Sequence, residues 1–107
     1  VTLESEVIIM SRSPAALIVR HRVANFDQWK IAFDSMFEVR RSHGWLSATV
    51  YRDATDPNMV TIVNRVKDLD GAKRYGSSDA LREGMKNGGV QGPPEVYFVD
   101  QAEDRAY

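Results

Sequence analysis

Two runs near the middle of the chain, WLSATVYR (45–52) and MVTIVNRVK (59–67), alternate like strands yet carry apolar residues at both parities. Between them lies DATDPN, whose Asp and Pro residues stop either run and turn the chain, so the two pair as a hairpin. With the hairpin centred near Thr55, Leu46, Ala48 and Val50 share a face with Val60, Ile62 and Asn64. Trp45, Ser47, Thr49 and Tyr51 share the other with Met59, Thr61, Val63 and Arg65. A one-sided sheet shows water a cleanly polar face, and neither of these faces is polar enough. Both must be covered, and the most economical cover for the second is the sheet of an identical subunit.

The flanking segments supply the rest of the sheet and its helices. AALIVRHRV (15–23) is rich in branched aliphatics and predicts a strand. Asn25 then stands as N-cap to a helix in which Phe26, Trp29, Lys30, Phe33, Met36, Phe37 and Arg40 recur at spacings of three and four. That places four aromatics and a methionine on one stripe, ending at the cations Arg40, Arg41 and His43 and the stop Gly44. A second helix starts at Leu69 after Asp68, is interrupted at Gly76-Ser77-Ser78, resumes over 79–87 with Ser78 as cap, and stops at Gly88-Gly89. After Pro93-Pro94 the segment EVYFVD (95–100) predicts the last strand. The order βαββαβ is the ferredoxin-like α+β pattern, a four-stranded antiparallel sheet of spatial order 4-1-3-2 with its helices on one face.

A chain of 107 residues is one domain with one modest core. The expected organisation is an N-terminal extension or arm over 1–14, the domain over 15–102 and a short tail over 103–107. With 14 basic and 15 acidic side chains, and no Lys/Arg cluster, there is no electrostatic footprint for nucleic acid. No apolar run is long enough for a membrane span, and no leader pattern opens the chain, so the cytoplasm is the expected compartment. The absence of cysteine removes disulfides, thiolate catalysis and Cys-ligated metal, and two histidines alone make a poor metal set. No phosphate-binding glycine loop, dinucleotide fingerprint, HExxH or GxSxG is present, and no cofactor is expected.

The segments VRHRVANFDQWKIAFD, YRDATDPNMVTIV and SSDALREGMKNGGVQGPPEVYFV, in this order and spanning most of 16–99, resemble the dimeric α+β barrel superfamily, specifically its antibiotic-biosynthesis-monooxygenase-like group. The resemblance implies dimerisation through the sheets. It leaves the chemistry open, because the superfamily contains quinone-forming oxygenases, haem-degrading enzymes, isomerases and accessory or stress proteins. Its haem-degrading branch uses an Asn in the first strand and a His in the second helical region. Here the first strand offers Arg20, His21 and Arg22, and 69–87 contains no His, so haem degradation is disfavoured.

His21 and Asn64 are the candidate catalytic residues. In an inner strand, a partly buried His21 has a pKa suited to a general base near neutrality, although a strand-end histidine fixed for packing explains it as well. Asn64, an amide among aliphatics, needs partners if buried, and either orients a ligand oxygen or bonds to backbone. Arg20 and Arg22, of opposite parity to His21, either hold an anionic oxygen or pair with carboxylates at the sheet edge. Trp29 and Phe33 either line an aromatic pocket or form core; Tyr51 and Tyr97 offer hydroxyls to a phenolic substrate, and Arg65 is a further candidate contact. The reading is a homodimer with one apolar pocket per subunit for a planar polyketide-like or phenolic compound, acting as a cofactor-free monooxygenase or cyclase with His21 as base. A non-catalytic ligand-binding or accessory protein is the alternative.

Overall fold

The computed structural model describes residues 15–107; the segment expected to form an extension or arm, 1–14, lies outside the described residues. The elements run β1 (Ala15–Val23), α1 (Phe26–Ser35), α2 (Phe37–Ser42), β2 (Trp45–Arg52), β3 (Met59–Val66), α3 (Leu69–Gly76), α4 (Asp79–Asn87) and β4 (Val90–Asp100). All pairings are antiparallel, in the order β2-β3-β1-β4 that the sequence predicts. The cap residues are also those expected. Asn25 Oδ1 accepts from Gln28 N at 3.0 Å, Asp68 Oδ1 from Gly71 N at 2.8 Å, and Ser78 Oγ from Leu81 N at 3.2 Å. Among the described residues no helix is long and apolar enough to cross a membrane.

Three expectations require correction, each for a local physical reason. The first helix is not continuous to Arg40. It breaks at Met36 (φ −95°, ψ 11°), where Ser35 Oγ bonds back to Ala32 O at 2.6 Å and Phe33 O is taken by both Met36 N at 3.2 Å and Arg40 Nη1 at 2.8 Å. The break rotates Phe37 off the apolar stripe, leaving it 59% exposed, while Trp29 remains buried.

The second correction concerns β2. Trp45 pairs with Val66 but Ser47 pairs with Arg65, so β2 carries an extra residue at Leu46. This bulge puts Trp45 into the core and leaves Leu46 exposed, exchanging the positions expected for the two. From Ser47 onward the expected faces hold, with Ala48 opposite Asn64, Val50 opposite Ile62, and Tyr51 opposite Thr61.

The third concerns the last strand, which begins at Val90 and includes Pro93-Pro94. Prolines are tolerated here because β4 is an edge strand, whose outer N–H groups have no ladder partner. Arg20 pairs with Glu95 and Arg22 with Gln91, so Gly92, Pro93 and Pro94 bulge opposite the single residue His21. Gly92 has φ +74°, a conformation open to glycine and costly for other residues.

Helices and buried side chains lie on the sheet face formed by Leu17, His21 and Val23 of β1 with Val60, Ile62, Asn64 and Val66 of β3. The core on this face is divided. One cluster joins Ala15, Leu17, Trp45, Val66, Ala72 and Tyr75; the other joins Val23, Trp29, Val60 and Ile62, and Val19 packs against both. Close approach of the helices is set at Gly88, where a Cβ would sit 3.0 Å from Trp29 Cδ1.

Candidate ligand cavity

Between the two core clusters opens a cavity of about 410 Å³, within the range of small-molecule sites. Its walls are mostly apolar, from Trp29 and Phe33 on α1, Leu81 on α4, and Val96 and Phe98 on β4. The aromatic wall is ordered: Trp29 and Phe33 stack with ring centroids 4.8 Å apart, and His21 meets Trp29 edge-on at 5.8 Å. Val96 and Phe98 stay 42% and 40% exposed although they stand on the helical side of the sheet, because the cavity mouth runs along β4.

Four polar side chains interrupt this lining inside the core: His21, Asn64, Arg40 and Tyr75. His21 is 7% exposed, and its Nδ1 is buried without a hydrogen-bond partner. The β4 bulge explains the isolation, since the strand that would flank His21 bows away at Gly92–Pro94. Burial pushes the imidazole pKa below its ordinary value, an effect that the nearby carbonyl of His21 itself opposes only in part. At neutral pH this ring is uncharged and has an acceptor nitrogen available.

Asn64 is tied down. Its Oδ1 accepts from Trp45 Nε1 at 2.8 Å and its Nδ2 donates to Leu17 O at 2.9 Å, linking the β2 bulge to β1. The second amide hydrogen and one lone pair of Oδ1 are what Asn64 has left to offer a ligand. Tyr75 packs edge-on against Trp45 at 4.9 Å, and burial pushes its phenol pKa up, partly countered by the neighbouring Arg40 charge. Arg40 is 7% exposed and lies over the Phe33 ring, 3.8 Å from its centroid.

Of the residues singled out by sequence, His21, Asn64, Trp29 and Phe33 meet at this cavity. Arg20, Arg22, Tyr51, Arg65 and Tyr97 stand on the opposite sheet face, and within one chain they cannot reach the same ligand. Arg20 lies 3.8 Å from Asp53 and 3.5 Å from Glu95, Arg22 lies 2.5 Å from Asp56, and Arg65 donates to Gln101. Tyr97 donates its hydroxyl proton to Glu95 at 2.9 Å, and Tyr51 is 55% exposed. The carboxylate pairing weighed for the arginines is thus what Arg20 and Arg22 adopt. His43 Nδ1 bonds the Val39 carbonyl at 2.8 Å, a helix-end role.

Sequence reasoning passed over Arg40, Tyr75 and Trp45. Arg40 reads as a helix-end cation, and only the break at Met36 turns it inward. Tyr75 was findable, because Leu69, Ala72 and Tyr75 repeat at spacing three behind the Asp68 cap. Trp45 was not, since nothing in WLSATVYR marks the bulge.

No protein-family model matches the chain, and no curated protein does either. Solved structures do. A candidate antibiotic biosynthesis monooxygenase from Caulobacter crescentus superposes with a TM-score of 0.67 at 14% identity, over 92% of this chain and 99% of that one. One from Bordetella bronchiseptica gives 0.71 at 16% identity, over 83% and 97%. The cofactor-independent oxygenase SnoaB of Streptomyces nogalater, in a mutant form, gives 0.68 at 13% identity, over 84% and 94%. The chain therefore has the fold of the antibiotic-biosynthesis-monooxygenase-like proteins, as its sequence segments imply. At these identities the likeness establishes fold.

Proposed function

We propose that the cavity binds a small, planar, mostly apolar molecule and that His21 acts as the base in its cofactor-independent oxygenation. The observation that carries this reading is His21 itself, an uncharged imidazole with an unpartnered nitrogen, buried beside an apolar cavity. Leaving a buried polar atom unpaired costs about 1–3 kcal/mol, which a purely structural residue has no reason to retain. In the reaction, one activated methylene and one dioxygen become one ketone carbonyl and one water. His21 takes a proton from the methylene carbon, the carbanion gives one electron to dioxygen, the carbon radical and superoxide combine, His21 returns its proton to the peroxide, and loss of water from the hydroperoxide leaves the ketone. Desolvation and orientation by Trp29 and Phe33 supply the remainder. SnoaB, described as a cofactor-independent oxygenase, supports the choice of chemistry by shared fold.

One observation favours a binding role without turnover: Asn64 already spends one carbonyl lone pair and one N–H on Trp45 and Leu17. The two readings separate on oxygen uptake with anthrones, phenols and related acidic carbon compounds. Turnover that falls about a hundredfold or more in His21→Ala supports the base. Turnover unchanged in that variant overturns it, and tight binding without oxygen uptake selects the binding role.

We further propose that the functional unit is a homodimer joined through the open sheet face. That face presents Ile18, Val63, Tyr97 and Val99, with the Arg20, Asp53 and Glu95 cluster bordering them at one end, an apolar centre with a charged margin as interfaces have.

A further inference from the structure

We infer that Arg40 is the anchor for an anionic oxygen of the ligand, so that the cavity selects molecules with an apolar, aromatic body and a carboxylate, phenolate or enolate head. The inference rests on the proposal that the cavity is a ligand site, and it names the class of ligand.

An arginine that is 7% exposed is a desolvated charge, and desolvated charges in proteins are paired. Among the described residues Arg40 is paired with no carboxylate: none lies within 4.0 Å of its guanidinium, and Asp34 on α1, whose charge reaches it only from a distance, is exposed and held by Lys30 at 2.7 Å. What Arg40 has is one backbone acceptor, Phe33 O at 2.8 Å, the face of the Phe33 ring, and the neutral Tyr75 hydroxyl beside it. The bond to Phe33 O accounts for the helix break at Met36, but all these partners are neutral and none balances the charge, since a neutral donor would close that carbonyl equally well. The remaining guanidinium N–H groups belong to a side chain that lines the cavity, next to the Tyr75 hydroxyl.

A planar fork of donors beside a phenolic O–H, in apolar surroundings, is a site for two oxygens sharing one negative charge. The same pairing completes the proposed chemistry. A buried, weakly basic imidazole removes a proton from carbon only if the resulting enolate oxygen is stabilised, and a fixed cation in the same cavity provides that. The other cation at the cavity, Lys73, is exposed, with its Nζ 5.6 Å from the Phe98 centroid, and serves as the internal control.

The test uses two probes with one aromatic body, 2-naphthoate and 2-naphthamide, titrated by intrinsic fluorescence or calorimetry at neutral pH. The wild-type chain is expected to bind the anion about tenfold or more tightly than the amide, as a charge-assisted hydrogen bond requires. Arg40→Gln, which keeps a donor for Phe33 O, should lose that preference while holding the amide as before. Arg40→Lys should keep the preference in part, and Lys73→Gln should keep it in full. Equal affinity of wild type for both probes overturns the anchor and leaves the cavity reading standing. Binding of neither probe overturns both. If Arg40→Gln fails to fold, Arg40→Lys and the wild-type preference decide, and a preference lost in Lys73→Gln assigns the charge to Lys73 instead and overturns the proposal.

Discussion

The imidazole of His21 meets the indole of Trp29 edge-on, with ring centroids 5.8 Å apart and planes at 71°, inside the divided core. This contact makes the tryptophan a reporter for the histidine. Protonation of His21 places a charge against an indole that is otherwise in apolar surroundings, and its emission should fall. The midpoint is expected below the ordinary histidine value of 6.5, since burial opposes the charged form. Emission should be flat with pH over the same range in His21→Gln. A wild-type midpoint at or above 6.5, by fluorescence or by NMR of the ring protons, contradicts the burial described.

Stability must follow the same proton. The unfolded chain binds it near 6.5, the folded chain only at lower pH, so between these values the unfolded state holds more protons. Stability is therefore complete above about 6.5, and falls as pH drops from there through the folded value. Urea midpoints measured from pH 7.5 to 5 should decline in the wild type and decline less in His21→Gln, whose side chain does not titrate. Parallel declines in both proteins would assign the acid sensitivity elsewhere.

Asn64 is expected to matter for folding before it matters for any ligand. Asn64→Leu strands the Trp45 indole N–H, now bonded at 2.8 Å, and removes the side-chain bond that Leu17 O accepts at 2.9 Å in addition to its place in the ladder. The orphaned indole N–H costs about 1–3 kcal/mol and the lost bond to Leu17 O about 0.5–1.5 kcal/mol, so a loss of about 1.5–4.5 kcal/mol by denaturant unfolding is the expected outcome. A loss under about 0.5 kcal/mol would mean that water or relaxation satisfies both groups, and would return Asn64 to the ligand.

These residues also show where sequence reading stops. The strands and the capping residues followed from periodicity and cap chemistry, because each depends on neighbours a few positions away, and the strand order followed from the βαββαβ pattern they make. His21 and Asn64 were recognisable as polar residues in apolar strands. What escaped depends on register. One extra residue at Leu46 moves Trp45 to the core, and three residues at Gly92–Pro94 clear the space beside His21. The kink at Met36, set by Ser35 and by Arg40 itself, turns an apparent helix-end cation into a cavity wall. Bulges and kinks of this kind are decided by competition among hydrogen bonds across elements, and no local pattern carries them.

Adjacent positions on β3 separate folding from association. Ile62 is 3% exposed on the helical face, whereas Val63, opposite Ile18 and Thr49, stands on the open face. Ile62→Asp puts an unpaired carboxylate into the core and should cost more than about 4 kcal/mol, enough to abolish cooperative unfolding in a small domain. Val63→Asp puts the same charge at the centre of the proposed interface, where self-association brings two copies toward one another. The wild type should run at twice the 12.1 kDa chain mass in light scattering. Val63→Asp should run at the single chain mass at micromolar concentration, keep its far-ultraviolet dichroism, and melt lower, because association no longer supports the fold. A Val63→Asp protein with the wild-type mass and melting temperature would mean that this face meets solvent, and the dimer would then have to form elsewhere or not at all.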